Sequence, residues 1–216
     1  MTPNKEDYLK CIYEIGTDMQ KITNKEIAAR MQVSPPAVTE MIKRMKSENL
    51  ILKDKENGYL LTDIGLKLVS ELYRKHRLIE VFLVHHLDYT SDQIHEEAEV
   101  LEHTVSDLFV KRLDKLLGFP QTCPHGGTIP AEGELLVEIN NLPLAAVQEA
   151  GTYLLTRVHD SFELLKYLEK HAIHIGDQVH VKQFDGFSNS FTLVNKDEDL
   201  QVSMDIAKQL YVEKIN

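Results

Sequence analysis

The sequence predicts a mainly α-helical chain that ends in a small β domain, and three observations carry that prediction. Up to about residue 119 the apolar positions recur at spacings of three and four, the period of amphipathic helices. A single hairpin pattern, built on the turn Asn57-Gly58, interrupts that run. After residue 144 the pattern changes to short strands.

The elements follow in order. Residues 7–15 read as the end of a first helix, with Tyr8, Ile12 and Ile15 on one face and Cys11 among the apolar positions. Thr23-Asn24-Lys25-Glu26 is a capping box, a hydroxyl followed three residues later by a carboxylate, and it opens a short helix over 24–31. Gln32-Val33-Ser34 makes a tight turn. Ser34 suits an N-cap and Pro35 the first helical position, so a third helix runs to about Ser47, burying Val38, Ile42 and Met45 and exposing Thr39, Glu40, Lys43 and Arg44. Residues 50–53 and 59–62 then pair across the turn 54–58. Helix, short helix, turn, exposed helix and hairpin, in that order, describe a winged helix-turn-helix, whose third helix enters a DNA major groove. The competing reading is a small packing domain that binds no DNA.

Thr62-Asp63-Ile64-Gly65 caps a long helix reaching Leu87. A second helix follows Thr90-Ser91-Asp92 and continues through Glu102-His103, and a third follows Ser106-Asp107 and ends near Leu117-Gly118. Together they carry more apolar surface than one small winged domain covers, which points to a dimer interface. Pro120, Pro124, Gly126, Gly127, Pro130, Gly133 and Pro143 mark 120–144 as a linker. Strands are expected over 153–159, 178–184, 190–195 and 200–204, with a helix over 162–169, packed as a small barrel. The expected domains are therefore 1–62 (winged helix-turn-helix), 63–119 (helical metal-binding and dimerisation domain), the linker, and 145–216 (small barrel).

Composition limits the function. With 43% hydrophobic and 27% charged residues among 216, the chain is of ordinary globular type. No stretch approaches the roughly 18 uncharged apolar residues of a membrane span, and the first seven residues hold no apolar signal core, so a cytoplasmic protein is expected. Two distant cysteines, Cys11 and Cys123, form no disulfide framework. The net charge of −10 argues against a uniformly basic nucleic-acid binder, but it is unevenly spread: +1 over 1–62, −4 over 63–119 and −7 over 120–216. The winged segment is near neutral, and DNA affinity that depends on a bound cation fits the rest.

The chemistry concentrates in 92–103. On a helix, His95, Glu99, Glu102 and His103 share one face, and carboxylates and imidazoles converging there repel unless a proton or cation lies between them. The preceding helix adds His76 and Glu80, again four apart. Oxygen-rich ligands with one or two imidazoles suit Mn2+ or Fe2+. A solvated acidic face with incidental histidines is the alternative. Asp7, near the start of the winged module, is placed to close such a site from another domain. Cys123-Pro124-His125 offers a half-site for a softer ion and needs partners such as Glu80; by spacing alone it reads as a surface loop with a free cysteine.

Taken together, these segments resemble a family, the metal-dependent repressors that include the diphtheria toxin repressor and the manganese transport regulators, above all its three-domain streptococcal manganese-uptake members. The resemblance covers essentially the whole chain. It is carried by Glu6-Asp7-Tyr8-Leu9, Ser34-Pro35-Pro36-Ala37-Val38-Thr39, Leu61-Thr62-Asp63-Ile64-Gly65, Arg74-Lys75-His76-Arg77-Leu78-Ile79-Glu80, His95-Glu96-Glu97-Ala98 and Glu99-Val100-Leu101-Glu102-His103. Residues from about Leu142 onward look like the SH3-like domain of ferrous-iron transport accessory proteins. The resemblance implies a main regulatory metal site of Asp7, Glu99, Glu102 and His103, with His76 near or on the metal. It implies a second site of Glu80, Cys123, His125 and Asp160. Carboxylates stand at Asp7 and Glu99, where iron-responding relatives carry sulfur, which fits the manganese branch. Lys10 stands where two-domain manganese regulators have a second carboxylate, so their paired-metal arrangement is not carried over. Ser34, Pro36, Ala37, Thr39 and Glu40 match positions that approach bases; apart from the resemblance, the basic wing residues Lys53 and Lys55 are expected at the phosphates and Lys43 as a further DNA contact.

The expected function is a manganese-dependent repressor: a homodimer that binds inverted-repeat operator DNA of metal-import genes, with Mn2+ as corepressor and Fe2+, Zn2+ or Cd2+ as substitutes. An iron-responsive repressor is the nearest alternative. A di-metal carboxylate enzyme would need two Glu-x-x-His motifs, which Glu99-x-x-Glu102-His103 does not supply. A metal-independent winged-helix regulator responding to a small molecule is the third.

Overall fold

In the computed structural model the described residues are 4–17, 21–90, 93–139, 141–195 and 198–215. The chain divides into two compact units: Met1–Lys75 with Pro130–Leu136, and His76–Ile129 with Val137–Asn216.

In the first unit, α1 (Lys5–Thr17), α2 (Asn24–Arg30) and α3 (Pro35–Ser47) precede the hairpin β1 (Ile51–Asp54) and β2 (Gly58–Leu61). The capping residues read from the sequence cap: Thr23 accepts from the Glu26 amide and Ser34 from the Ala37 amide. Asn4 and Asp7 form a further reciprocal cap on α1, the Asn4 amide donating to Asp7 Oδ2 at 2.6 Å and the Asp7 amide to Asn4 Oδ1 at 3.2 Å. One core joins α1, α2 and α3 to the hairpin through Ile12, Ile15, Ile27, Val38, Ile42, Met45 and Leu50. The wing gains a third member because Tyr59 donates to the Ile22 carbonyl at 3.1 Å. Gly58 makes that approach possible: its φ is +86°, and a Cβ there would lie 1.9 Å from the Ile22 oxygen. Thr23→Ala is expected to cost this unit about 1 kcal/mol, measured by urea unfolding. An unchanged midpoint would show that the cap contributes nothing.

The long helix α4 spans Asp63–Leu87 as expected. In the second unit α5 (Ile94–Glu102) and α6 (Asp107–Leu116) pack with the second half of α4 around Leu78, Ile79, Leu83, Ile94, Ala98, Val110 and Leu113. The expected cap residues Ser91 and Asp92 lie outside the described residues, and Gln93, which precedes α5, makes no side-chain cap bond. Val100, Leu108, Phe109 and Leu116 leave an apolar strip exposed on α5 and α6.

The C-terminal part is a five-stranded antiparallel sheet in the order β6-β5-β4-β3-β7: β3 (Gly151–Val158), β4 (Gln178–Asp185), β5 (Ser190–Asn195), β6 (Glu198–Ser203) and β7 (Leu210–Lys214). Two helices, α7 (Phe162–Lys170) and the single turn α8 (Met204–Ala207), lie within it in sequence. Register shifts at Leu155/Arg157 and Val181/Gln183 bend β3 and β4 over one core of Leu155, Leu165, Leu168, Val179, Phe191, Leu193 and Val212. The last strand, β7, and the turn α8 were not expected from the sequence.

The segment read as a linker is packed for much of its length, because its polar backbone finds fixed partners. In the second unit Arg77 donates to the Thr128 carbonyl, and its other arm reaches Glu138 at 2.6 Å. In the first unit Arg74 donates to the Pro130 carbonyl at 2.8 Å, and the Leu136 amide to Ser70 Oγ at 2.8 Å.

Candidate functional site

Two consecutive turns of α4 place His76 and Glu80 on one face, and both are buried, at 1% and 0% exposure. The loop Cys123-Pro124-His125-Gly126-Gly127 meets them. Its turn closes where the Gly126 amide donates to the Cys123 carbonyl and the Cys123 amide to the Gly127 carbonyl, each at 2.9 Å. Gly126 has φ +80°, and a Cβ there would sit 2.0 Å from the Thr156 oxygen of β3, so only glycine lets the loop lie on that strand. The contact is sealed by the Val158 amide donating to the His125 carbonyl at 3.0 Å. Two residues beyond Val158 the chain delivers Asp160. Strand, loop and helix thus bring together groups far apart in sequence.

The donor atoms form one continuous cluster. His125 Nδ1 lies 3.2 Å from Glu80 Oε1 and 3.4 Å from Asp160 Oδ1. His76 Nε2 lies 3.1 Å from Glu80 Oε1 and 3.3 Å from Asp160 Oδ2. His95, on α5, places Nδ1 2.9 Å from Asp160 Oδ1. Cys123 Sγ joins Glu80 and His125 within the same small space. Cys123 and His125 are therefore not part of a surface loop, as their spacing alone had suggested: both are buried.

A second pairing adjoins this cluster. Glu102 is buried at the end of α5, with Oε2 2.6 Å from His76 Nδ1 and Oε1 3.3 Å from His103 Nε2. Glu99 lies 3.5 Å from His95, with its side chain half-exposed. Asp7 belongs to the first unit, where its carboxylate caps α1. His95 is the residue whose part the sequence did not reveal. Its i, i+4 pairing with Glu99 was visible, but its approach to Asp160 was not.

Electrostatics fit a cation site. Burial and the neighbouring Asp160 push the Glu80 carboxyl up, but His76 and His125 outweigh them and hold it below its ordinary value. Burial likewise opposes ionisation of Asp160, and the facing imidazoles of His125, His76 and His95 hold it well below the usual range. Burial pulls His95 down, yet Asp160 and Glu99 raise it to about 9. His125 is raised as well, Glu80 and Asp160 overcoming its desolvation. Burial and the charge of Glu80 push the Cys123 thiol up. Protons on the histidines thus do the work a divalent ion would do. The donors also suit an ion on geometry. Glu80 Oε2 is buried with no hydrogen-bond partner among the described residues, and His95 Nδ1 and Asp160 Oδ1 face each other without hydrogen-bond alignment. Separations near 3 Å are what neighbouring ligands of one ion show when each bond is about 2.1 Å.

In the first unit the DNA-facing residues expected from the sequence, Ser34 at the N-cap of α3, Pro36, Ala37, Thr39, Glu40 and Lys43 on α3 and Lys53 and Lys55 on the wing, are all exposed. Arg44 and Lys46 lie exposed on the same helix. Thr39 is oriented by donating to the Pro35 carbonyl at 2.9 Å and accepting from Asn24 at 3.0 Å.

Comparison with known proteins agrees with this layout. Residues 1–59 match the iron-dependent repressor N-terminal DNA-binding domain, 62–131 the iron-dependent repressor metal-binding and dimerisation domain, and 142–214 the FeoA domain. The crystal structure of ScaR with bound Zn2+ is 63% identical, covers 99% of this chain and 100% of its own, and superposes with a TM-score of 0.95. The apo form of the same protein is described as that of a manganese-activated repressor. The manganese regulator SloR is 58% identical over the whole of both chains, with a TM-score of 0.92. The diphtheria toxin repressor of Corynebacterium diphtheriae is 27% identical, with 97% of this chain and 96% of that one covered.

Proposed function

We propose that this chain, which belongs to the iron-dependent repressor family, is a transcriptional repressor that takes Mn2+ as corepressor and binds inverted-repeat operator DNA as a homodimer in the cytoplasm. The observation that carries the reading is the buried meeting of Glu80, Cys123 and His125, joined by Asp160 at 3.4 Å from His125, in a chain that also carries a winged unit with an exposed recognition helix. The second metal site is assigned to those four residues. The main regulatory site is assigned to Asp7, Glu99, Glu102 and His103, with His76 alongside. Glu102 and His103 are supported by their separation, whereas Asp7 and Glu99 are assigned on the family resemblance.

When bound, the ion supplies the positive charge that two buried carboxylates otherwise draw from protonated histidines. The residues do the rest. Glu80, Asp160, His125 and Cys123 would hold the ion, His125 as a neutral imidazole and Cys123 as a thiolate, so binding would release their protons. Carboxylates favour Mn2+, while the thiolate also accepts the softer Zn2+ and Cd2+, ions found in the ScaR structures. The exposed apolar strip of α5 and α6 serves as the dimer face. Ser34, Pro36, Ala37, Thr39 and Glu40 approach bases, and Lys43, Lys53 and Lys55 contact phosphates. The family consists of repressors, and the chain lacks the paired Glu-x-x-His motifs of a di-metal carboxylate enzyme.

The test is a DNA-binding titration with duplex from the promoters of the host's manganese-import genes, in buffered free Mn2+, Fe2+ or Zn2+. Binding is expected to appear with Mn2+ and to vanish in EDTA. A swing between nearly all free and nearly all competent requires about 5.5 kcal/mol of differential metal binding. Binding insensitive to EDTA overturns the corepressor role, and activation by Fe2+ alone at physiological concentration favours the iron-responsive alternative.

A further inference from the structure

The loop that carries Cys123 and His125 opens at Thr122 and Thr128, which pair as an isolated antiparallel bridge. Thr128 is gripped there at three points. Its carbonyl accepts from Arg77, its amide donates to Glu138 Oε2 at 2.9 Å, and its hydroxyl accepts from the Ile139 amide at 3.1 Å. Arg77 closes the ring by donating through its other nitrogen to Glu138 Oε1 at 2.6 Å. The guanidinium lies across Gly127, where a Cβ would come within 2.6 Å of its central carbon. Both side chains of the pair are largely buried, Arg77 at 10% and Glu138 at 18% exposure. Burial pushes the Glu138 carboxyl up, but Arg77 and the Thr128 amide outweigh it and hold it below its ordinary value.

The two donors of the loop are held differently. His125 is tied to β3, since its carbonyl accepts from the Val158 amide at 3.0 Å. Both backbone groups of Cys123 instead bond within the loop, to Gly127 and Gly126, at 2.9 Å each. Where Cys123 stands therefore depends on where the mouth of the loop is fixed, and Arg77 grips that mouth. Arg77 leaves α4 three residues before Glu80. One rigid helix thus carries both the carboxylate that Cys123 meets and the arm that holds its loop.

We propose, on the reading above that Glu80, Cys123, His125 and Asp160 form a metal site, that Arg77 and Glu138 are positioning residues: their ring with Thr128 holds Cys123 where its thiolate can join the ion. A ligand set tolerates errors of only about 0.2 Å in donor position, so a loop donor needs a stiff support. A guanidinium paired with a carboxylate supplies one, because two charge-assisted bonds fix direction as well as distance. Glu138 uses both oxygens, one for Arg77 and one for the Thr128 amide. Glutamine has nearly the same size but only one acceptor oxygen, so it cannot serve both donors. Lysine in place of Arg77 keeps the charge but not the planar fork. Groups that orient metal ligands from outside the ligand set are commonly worth about 10- to 100-fold in metal affinity.

The experiment titrates the full-length protein with Co2+, whose bond to a thiolate gives a charge-transfer absorption in the near ultraviolet. The proteins are wild type, Cys123→Ala, Glu138→Gln and Arg77→Lys. Wild type is expected to show the band and Cys123→Ala to lack it, which assigns the band to this site. Glu138→Gln and Arg77→Lys are each expected to need about tenfold more Co2+ to reach half of their own maximum, and to show a weaker band at saturation. A wild-type band with a wild-type midpoint in both variants overturns the positioning role and leaves the metal site intact. A loss confined to one variant also overturns it, because either change breaks the same ring. A wild type without the band removes Cys123 from the site, and the reading of that site fails with it. Thermal melts of all four proteins in EDTA, showing native transitions, exclude unfolding as the cause of any loss.

Discussion

Replacing Glu80 by alanine is expected to destabilise the metal-free protein by about 3–5 kcal/mol and to remove one Mn2+ from the stoichiometry. Glu80 is fully buried, and its Oε1 lies 3.1 Å from His76 Nε2 and 3.2 Å from His125 Nδ1. His125 is raised in part by the charge of Glu80, so deleting the carboxylate removes one of the two negative charges that oppose its desolvation and leaves a cavity in the buried cluster. That loss is of the kind measured when one partner of a buried pair is cut away, far larger than for a surface pair. Glu80→Gln separates the two consequences: the amide keeps the volume and a hydrogen bond but is a poor ligand. Urea unfolding in EDTA should place Glu80→Gln between wild type and Glu80→Ala, while Mn2+ titration should show both variants lacking the same ion. Full Mn2+ stoichiometry in Glu80→Ala would remove Glu80 from the site.

The second large effect is a pH dependence that reverses when metal is added. His95 is raised from 6.5 to about 9 in the folded protein by Asp160 and Glu99, against its own desolvation. A group raised on folding gives its full stabilisation below the unfolded value and loses it as pH rises through the folded value. His95 therefore supports the metal-free fold below about pH 6.5 and ceases to do so by about pH 9. His125 is raised too, so its contribution persists higher still. Glu80 and Asp160 act in the opposite direction. Their depressed values give stability that is present above about 4.5 and 3.8 and is lost as pH falls through the folded values. Melting temperature in EDTA is thus expected to plateau between about pH 4.5 and 6.5 and to decline toward pH 9. Mn2+ held by Glu80, Cys123, His125 and Asp160 would displace the His125 proton and, by neutralising Asp160, remove the charge that raises His95, so the rise in melting temperature caused by Mn2+ should grow over that upper range, with affinity rising up to about tenfold per pH unit for each proton released. Melts across pH in EDTA and in Mn2+ check both signs. A Mn2+-induced rise that is flat from pH 6.5 to 9 would sink the linkage.

These expectations differ in how far they could be read from the chain alone. The winged unit was legible almost residue by residue because its signals are local. Thr23 and Ser34 cap the amides three residues on, and Val38, Ile42 and Met45 fall at helical spacing onto one core. Asn57-Gly58 marks the wing because Gly58 takes a positive φ that side chains resist. The C-terminal sheet was legible in kind but not in full. The strand β7 pairs with β3, which precedes it by about fifty residues, and the short segment 210–214 carries too little alternation to declare itself.

The metal donors were partly legible. His76 and Glu80, or His95 and Glu99, declare themselves by a separation of four on one helix face. Glu102 and His103 are neighbours in sequence. The helix pattern also grouped Glu99 with Glu102 and His103 on one face, and His103 keeps right-handed helical dihedrals as the C-cap of α5. The loop Cys123-Pro124-His125 pointed the other way, toward a free surface cysteine, because nothing within the loop reveals what it packs against.

The sequence by itself therefore determined the helices, the wing, most of the strands and the chemistry of the donors: helix periodicity, capping and residue chemistry act within a few positions along the chain. Only the tertiary structure decided which donors meet. His76 reaches Glu102 across 26 positions and Asp160 across 84, and such encounters depend on how α4, α5 and β3 pack rather than on any local pattern. The physical reason is that a ligand set is defined by distances of about 3 Å between side chains, and no one-dimensional spacing encodes a distance between segments brought together only when their apolar faces are buried.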